Sequence, residues 1–362
     1  MRQNLLLVGS NIPSGLVDEI ARDRNPRADF FELSRRLDAR IVSFEEIDSA
    51  AGSLVKLVSR ATGRSGAFAL EAFWRRAGRS VALALKGFWR RKDFDLVVTT
   101  SEAIGIPLAL LLKLSGTKKK HLMIGHHLSQ PKKTFLWKLF GLHTHISRVF
   151  VYSTSQKKVV LSKLHTPPDR VVLIPHSVDQ RFFRPMPDIV EKHQICAVGL
   201  ESRDYPTLIK AAKSLQCEVK IAADSRYSRF TNEAEGSELP SNVTVRKYKY
   251  PDLRRLYAES KIVVVPLYQI DSPAGITSVM EAMAMGKPVI VTRTIGQTDT
   301  IVDGETGLYV APGDAEDLRQ KIQSLLENDP ERQRIGENAR RAVDHSFTLE
   351  HLVSRIGELA EG

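Results

Sequence analysis

The sequence predicts an α/β protein of two doubly wound, Rossmann-like domains, and three observations carry that prediction. A chain of 362 residues is about two domains long, and a hydrophobic content of 42% is ample for two packed cores. Short apolar runs bounded by Gly, Pro, Asp and Ser alternate with stretches of helical spacing, the pattern of parallel strands joined by crossover helices. Residues 262–291, IVVVPLYQIDSPAGITSVMEAMAMGKPVIV, read as strand, loop, helix and strand in one such βαβ unit.

In chain order, residues 4–8 are an apolar strand that ends in Gly9-Ser-Asn-Ile-Pro-Ser-Gly15, a loop at the strand's carboxyl end, where open α/β sheets put ligands. Residues 30–37 have the spacing of a short helix and 40–44 that of a strand. Residues 95–100 (DLVVTT) read as a parallel strand, followed by a helix over 106–114. Asp93-Phe-Asp95 is one aspartate pair beside an apolar run with no further ligands clustered nearby, so it is read as a strand entrance, and no metal is expected. The next strand, HLMIG from His121, ends in His126 and His127. A histidine pair at a strand terminus is a candidate for chemistry, and both are taken as candidate catalytic residues. Residues 149–153 and 171–174 complete the first domain's strands, with a helix over 155–164 between them. Pro185 and Pro187 cannot extend a helix or a central strand and mark the boundary. The domains are therefore drawn at 1–180 and 181–345, with a C-terminal helical segment at 346–362.

The second domain opens with a strand over 195–198, then Gly199, Arg203 and a helix through Leu215. A glycine at a strand end followed by a cation and a helix start suits a diphosphate, and the guanidinium fork of Arg203 matches phosphate oxygens. The alternative is an exposed Arg203 paired with Asp204. Strands over 218–222 and 243–248 and a helix over 253–258 lead to the 262–291 unit. There, Gly275 lets a ligand approach the backbone, and the amides of Ile276, Thr277 and Ser278 lie at the positive end of the helix dipole. Thr277 and Ser278 add hydroxyls, and Glu281 lies one turn further on. Gly286 and Pro288 stop the helix, and residues 315–328, 331–343 and 347–359 read as helices.

The string Glu281-Ala-Met-Ala-Met-Gly286-Lys-Pro288-Val-Ile resembles the donor-site signature of GT-B glycosyltransferases of the family 4 type. The likeness continues through DGETGLYVAPGDAEDL and ENARRAV and covers the chain from about Val171 onward. It implies two domains facing a central cleft, a nucleotide-sugar donor on the second and an acceptor on the first, and transfer with retention of configuration. Carried over by position, Glu281 would hold the ribose, the 275–278 backbone and Arg203 the diphosphate, and His126, with His127 next, would face the donor sugar. Gly15 stands alone where relatives often have two acceptor-side glycines, and Pro175-His176-Ser177-Val178-Asp179 resembles the family's I-P-N-G-V-D linker. Where the family has a second glutamate, eight positions before Glu281, this chain has Pro273, and Asp271 is the nearest carboxylate that could take its place. A sugar-nucleotide 2-epimerase, or a non-catalytic nucleotide-binding relative docked at membranes, would share this architecture. In this fold the terminal helix tends to cross back to the first domain.

Charge is unevenly shared. Residues 1–180 hold 29 Lys and Arg against 15 Asp and Glu, and 181–362 hold 24 against 27, so net charges of +14 and −3 sum to +11. From 56 to 92, basic residues interleave with Phe68, Phe73, Trp74, Phe88 and Trp89, and 131–140 (PKKTFLWKLF) repeats the theme. This is the composition of an interfacial helix at an anionic membrane surface, or of core helices with solvated basic faces. No helix-turn-helix, zinc-ligand or RNP-like pattern accompanies it, so nucleic acid is not the expected partner. Two cysteines, no opening signal peptide and no apolar run near the ~20 residues of a bilayer span predict a cytoplasmic protein, peripheral on the membrane at most. A nucleotide-sugar donor and a glycan or lipid-linked acceptor are the expected partners, with no cofactor.

Overall fold

The structure, a computed structural model, describes residues 3–48, 78–223, 239–296 and 299–361. The chain divides into two compact units, one of Met1–Leu16, Ala28–Ile174 and Val353–Gly362, the other of Val17–Arg27 and Pro175–Leu352.

The first unit holds six parallel strands, β1 (Asn4–Val8), β2 (Ala39–Ser43), β3 (Leu96–Thr99), β4 (Lys120–Gly125), β5 (Arg148–Val151) and β6 (Val171–Leu173), in the order β2-β1-β3-β4-β5-β6. Leu5, Leu7 and Val97 feed one core cluster, and Met123, Val149 and Val151 another. The second unit holds β7 (Gln194–Val198), β8 (Glu218–Ala222), β9 (Val243–Arg246), β10 (Ile262–Val265), β11 (Val289–Thr292) and β12 (Leu308–Val310), in the order β12-β11-β10-β7-β8-β9. Alternate residues of its strands serve opposite faces. Cys196, Val198, Val263 and Val265 pack on one side and Ile195, Ala197, Ile262 and Val264 on the other, which is why these strands read as unbroken apolar runs. Both sheets are doubly wound. In the second the strand order reverses between β7 and β10, and ligands of open α/β sheets bind outside the carboxyl ends of strands at such a point.

Several element starts differ from the sequence reading, each for a local reason. The helix expected from 106 begins at Glu102, because Ser101 accepts the amide of Ala103 and caps it a turn earlier. The helix expected from 253 begins at Tyr250, with Pro251 in a first turn that needs no amide donor. The terminal helix runs Leu349–Glu361 after a π-helical turn at Val343–Phe347. β12 and the helix Leu16–Ala21 were not anticipated, being three and six residues long. Arg27 closes the Val17–Arg27 segment onto the second unit, its guanidinium donating to Asp179 Oδ1 at 2.7 and 2.9 Å and to Glu350 Oε1 at 2.9 Å. Of the basic segment 56–92, residues 56–77 lie outside the described residues, and the remainder holds the helix Arg79–Trp89 and the turn that follows it. Among the described residues no helix is long and apolar enough to cross a membrane.

Candidate functional site

The loops leaving β7 and β10 meet at Arg203. Its backbone bridges Leu267, and its guanidinium donates to Val198 O (2.9 Å), Glu201 O (2.8 Å) and Ser278 Oγ (3.0 Å). The side chain lies between two glycines with left-handed backbone. A Cβ on Gly199 (φ +103°) would stand 2.4 Å from Arg203 Nη2, and one on Gly275 (φ +80°) 3.3 Å from Nη1. The positive φ at both places favours glycine, and a Cβ on Gly275 would also stand 2.7 Å from Val265 Cγ1. Arg203 is buried, not exposed, and it does not pair with Asp204, whose carboxylate caps the next helix by accepting from Thr207. Among the described residues no carboxylate comes within ion-pair distance of this guanidinium, and one hydrogen on each terminal nitrogen is left uncommitted. Burial pulls the Arg203 pKa down, against the pull of Tyr205, Tyr257, Glu201 and Glu281. Burying a cation without an ion-pair partner is costly.

The helix Ile276–Ala284 starts beside this cation. The amide of Ile276 leans on Pro273 O at 3.4 Å, so the amides of Thr277 and Ser278 are the better placed donors. Thr277 is exposed, leaving its hydroxyl at the surface. The Ser278 hydroxyl instead donates to Val198 O at 3.1 Å and accepts from Arg203, so it steadies the arginine. Asp271 lies exposed on the same β10 loop.

Glu281 is buried, and its Oε2 accepts the Tyr257 hydroxyl at 2.8 Å. Among the described residues no donor bonds Oε1. Burial pushes the Glu281 carboxyl up to about 7, opposed by the Tyr257 bond and the Arg203 charge. Tyr257 was missed in the sequence: a tyrosine 24 residues upstream carries no local signal.

In the first unit, His126 and His127 follow the end of β4 and are half-buried. His126 Nε2 lies 3.0 Å from Thr100 O, a carbonyl that can only accept, so Nε2 is the donor in this contact. The ring stacks on Tyr152 at 5.3 Å. The turn is held by Glu102, which accepts the amides of His126 (2.9 Å) and His127 (3.2 Å) and the ammonium of Lys133 (2.7 Å). Burial pushes the Glu102 carboxyl up, but the Lys133 charge and the His126 amide outweigh it, and the net shift is downward. Glu102 and Lys133 were also missed; the acid, standing alone in a long basic stretch, was the available signal. Gly15 is exposed with left-handed backbone (φ +79°), and nothing lies within 4 Å of where its Cβ would be. Among the described residues no group of His, Cys, Asp and Glu could hold a metal ion.

Two doubly wound parallel sheets, each in its own unit, are the architecture of the GT-B class of α/β protein. The chain belongs to the GT-B glycosyltransferases: residues 31–182 match the Glycosyltransferase Family 4 model and residues 195–342 the Glycosyl transferases group 1 model. It is similar to the capsular polysaccharide biosynthesis glycosyltransferase CapM of Staphylococcus aureus, 41% identical over 69 residues that cover 19% of this chain and 18% of that one. It is also similar to the MMP alpha-(1->4)-mannosyltransferase of Mycolicibacterium hassiacum, 25% identical over 58% of this chain and 53% of that one. The chain thus spans about half or less of the length of these curated relatives. In fold it resembles Anabaena HepE in complex with UDP-glucose, with a TM-score of 0.69 at 15% identity over 100% of both chains.

Proposed function

We propose that the chain transfers a glycosyl group, with retention of configuration, from a nucleoside-diphosphate sugar to a glycan or lipid-linked acceptor, without a metal. The observation that carries this reading is Arg203, a buried cation with no carboxylate partner among the described residues, clasped by Gly199 and Gly275 at a helix start one turn from a buried glutamate. A diphosphate supplies the missing anion. Its oxygens would accept the remaining Arg203 hydrogens and the Thr277 and Ser278 amides, and Glu281 Oε1 would accept a ribose hydroxyl. As the bond from the sugar to the diphosphate breaks, charge grows on the leaving oxygens, where these donors already stand. Within the first unit, Glu102 holds the backbone amides of His126 and His127 at the end of β4. The UDP-glucose bound by HepE and the capsular polysaccharide role in CapM's name support a nucleotide-sugar donor and a glycan product. The basic first half favours a cytoplasmic protein held at an anionic membrane surface.

Incubation with a panel of UDP-, GDP- and ADP-sugars and candidate acceptors, with product analysis, tests the reading. Nucleoside diphosphate should appear together with a glycosylated acceptor, undiminished by EDTA. Arg203→Ala should lower turnover ~100-fold or more. A free, altered nucleotide sugar formed without acceptor would instead identify an epimerase.

A further inference from the structure

The helix Pro131–Phe140 has two faces of opposite character. Trp137 is fully buried, and Lys133, one turn before it, reaches Glu102 Oε1 at 2.7 Å and His127 O at 3.3 Å. The other face carries Lys132, Phe135, Leu136 and Leu139 at i, i+3, i+4 and i+7, which form one stripe. Phe135 is 63% exposed, Leu139 60% and Leu136 37%, so three large apolar side chains adjoin in solvent. Lys132 and Lys138, both exposed, flank them. The sequence around this helix is one-sided in charge: between Glu102 and Asp169 there is no acidic residue, against ten lysines and Arg148.

We infer that this face docks on an anionic lipid–water interface. Phe135, Leu136 and Leu139 seat at the boundary between headgroups and acyl chains, and the flanking lysines meet lipid phosphates. A second copy of the chain fits less well, because a twofold contact through this face sets lysine against lysine with no carboxylate between them. Lys133 ties the helix to Glu102, and Glu102 holds the amides of His126 and His127, so the docking face and the strand-end histidines belong to one linked piece. Docking gives the chain access to a lipid-borne acceptor, and this purpose, unlike the docking itself, rests on the reading of glycosyl transfer given above.

Flotation of the full chain with vesicles of phosphatidylcholine, with and without phosphatidylglycerol, tests the inference. The protein should float with the anionic vesicles only and leave them in high salt. Phe135→Ser/Leu139→Ser and Lys132→Glu/Lys138→Glu should each lower partitioning by about tenfold or more, while the thermal shift produced by nucleoside diphosphate stays unchanged. Equal flotation of both variants and the parent, or equal flotation on neutral vesicles, overturns the inference. So does a serine variant that alters the oligomeric state in size-exclusion chromatography but floats normally, because the face then belongs to a second copy. Lack of turnover with every donor sugar would sink the catalytic reading and leave the flotation result standing.

Discussion

Tyr257 and Glu281, on two different helices of the second unit, share a 2.8 Å hydrogen bond, and among the described residues the carboxylate has no cation within ion-pair distance. The phenol is the closest donor opposing the cost of ionising a buried acid. Tyr257→Phe should therefore raise the Glu281 pKa further and weaken nucleoside-diphosphate binding at neutral pH by about tenfold or more, since a hydrogen bond to a charged group contributes ~1.5–3 kcal/mol. Titration calorimetry at neutral and alkaline pH checks this. The deficit should narrow at high pH, where the carboxylate is ionised in either protein.

The same pair sets a pH dependence of opposite sign for stability and for binding. An unfolded glutamate titrates near ~4.3, whereas burial holds native Glu281 at about 7. The native state keeps its proton longer, so the contribution to stability is complete below the unfolded value and is lost as pH rises to about 7. Ribose hydroxyls donate to the ionised form, so nucleotide affinity should climb over the same interval. Glu281→Gln should flatten both curves and melt higher than the parent in alkaline buffer without ligand. Parallel pH curves for the two proteins in calorimetry would refute the assignment.

Gly275→Ala should lower both stability and donor response. Left-handed backbone (φ +80°) is unfavourable for alanine by ~1–2 kcal/mol, and the new Cβ would stand 2.7 Å from Val265 Cγ1 and 3.2 Å from Leu267 Cδ2. A melting temperature lower by roughly 2–8 °C is expected, with a reduced shift on adding nucleoside diphosphate. An unchanged ligand-induced shift would show that this loop does not receive the phosphates.

Glu102→Gln presents one acceptor oxygen where a carboxylate serves three donors, so either the His126 amide, on Oε2, or the His127 amide together with Lys133, on Oε1, loses its acceptor. Breaking a buried charged contact costs ~3–5 kcal/mol, and the partial exposure of Lys133 reduces this to about 2–3 kcal/mol. The melting temperature should fall, and turnover should fall with it, because the histidine turn loses its anchor. In the parent the depressed Glu102 pKa means this stabilisation is present above the unfolded value and lost as pH falls through the native one. A variant that melts and turns over normally would remove Glu102 from the positioning role.

Much of the fold was legible because strands buried on both faces are unbroken apolar runs. Residues 4–8 and 262–265 were bounded correctly from that signal, while 218–222 (EVKIA), with its outer face partly exposed, was bounded by alternation. The closeness of Gly199, Arg203 and Gly275 follows from two glycine loops at neighbouring strand ends, and the structure sets both glycines against Arg203. What could not be read depends on contacts between distant residues. Tyr257 and Glu102 find their partners across 24 and more positions, and the Ser278 hydroxyl turned out to serve Val198 and Arg203 because the β7 end passes beside it. Helix starts at Glu102 and Tyr250 were misjudged where a cap or a first-turn proline outweighed the hydrophobic period.

The Arg27 bonds to Asp179 and Glu350 bear on how the gene can be divided. Expressing residues from 175 onward alone would deprive two acidic side chains of the guanidinium that neutralises them, and it would strand Val353–Gly362 without the unit to which it belongs. Split reporters, truncated expression clones and half-swaps between homologues should therefore graft the 17–27 peptide together with the later half. A cut at the proline-marked boundary alone separates pieces that are continuous in sequence but not in structure.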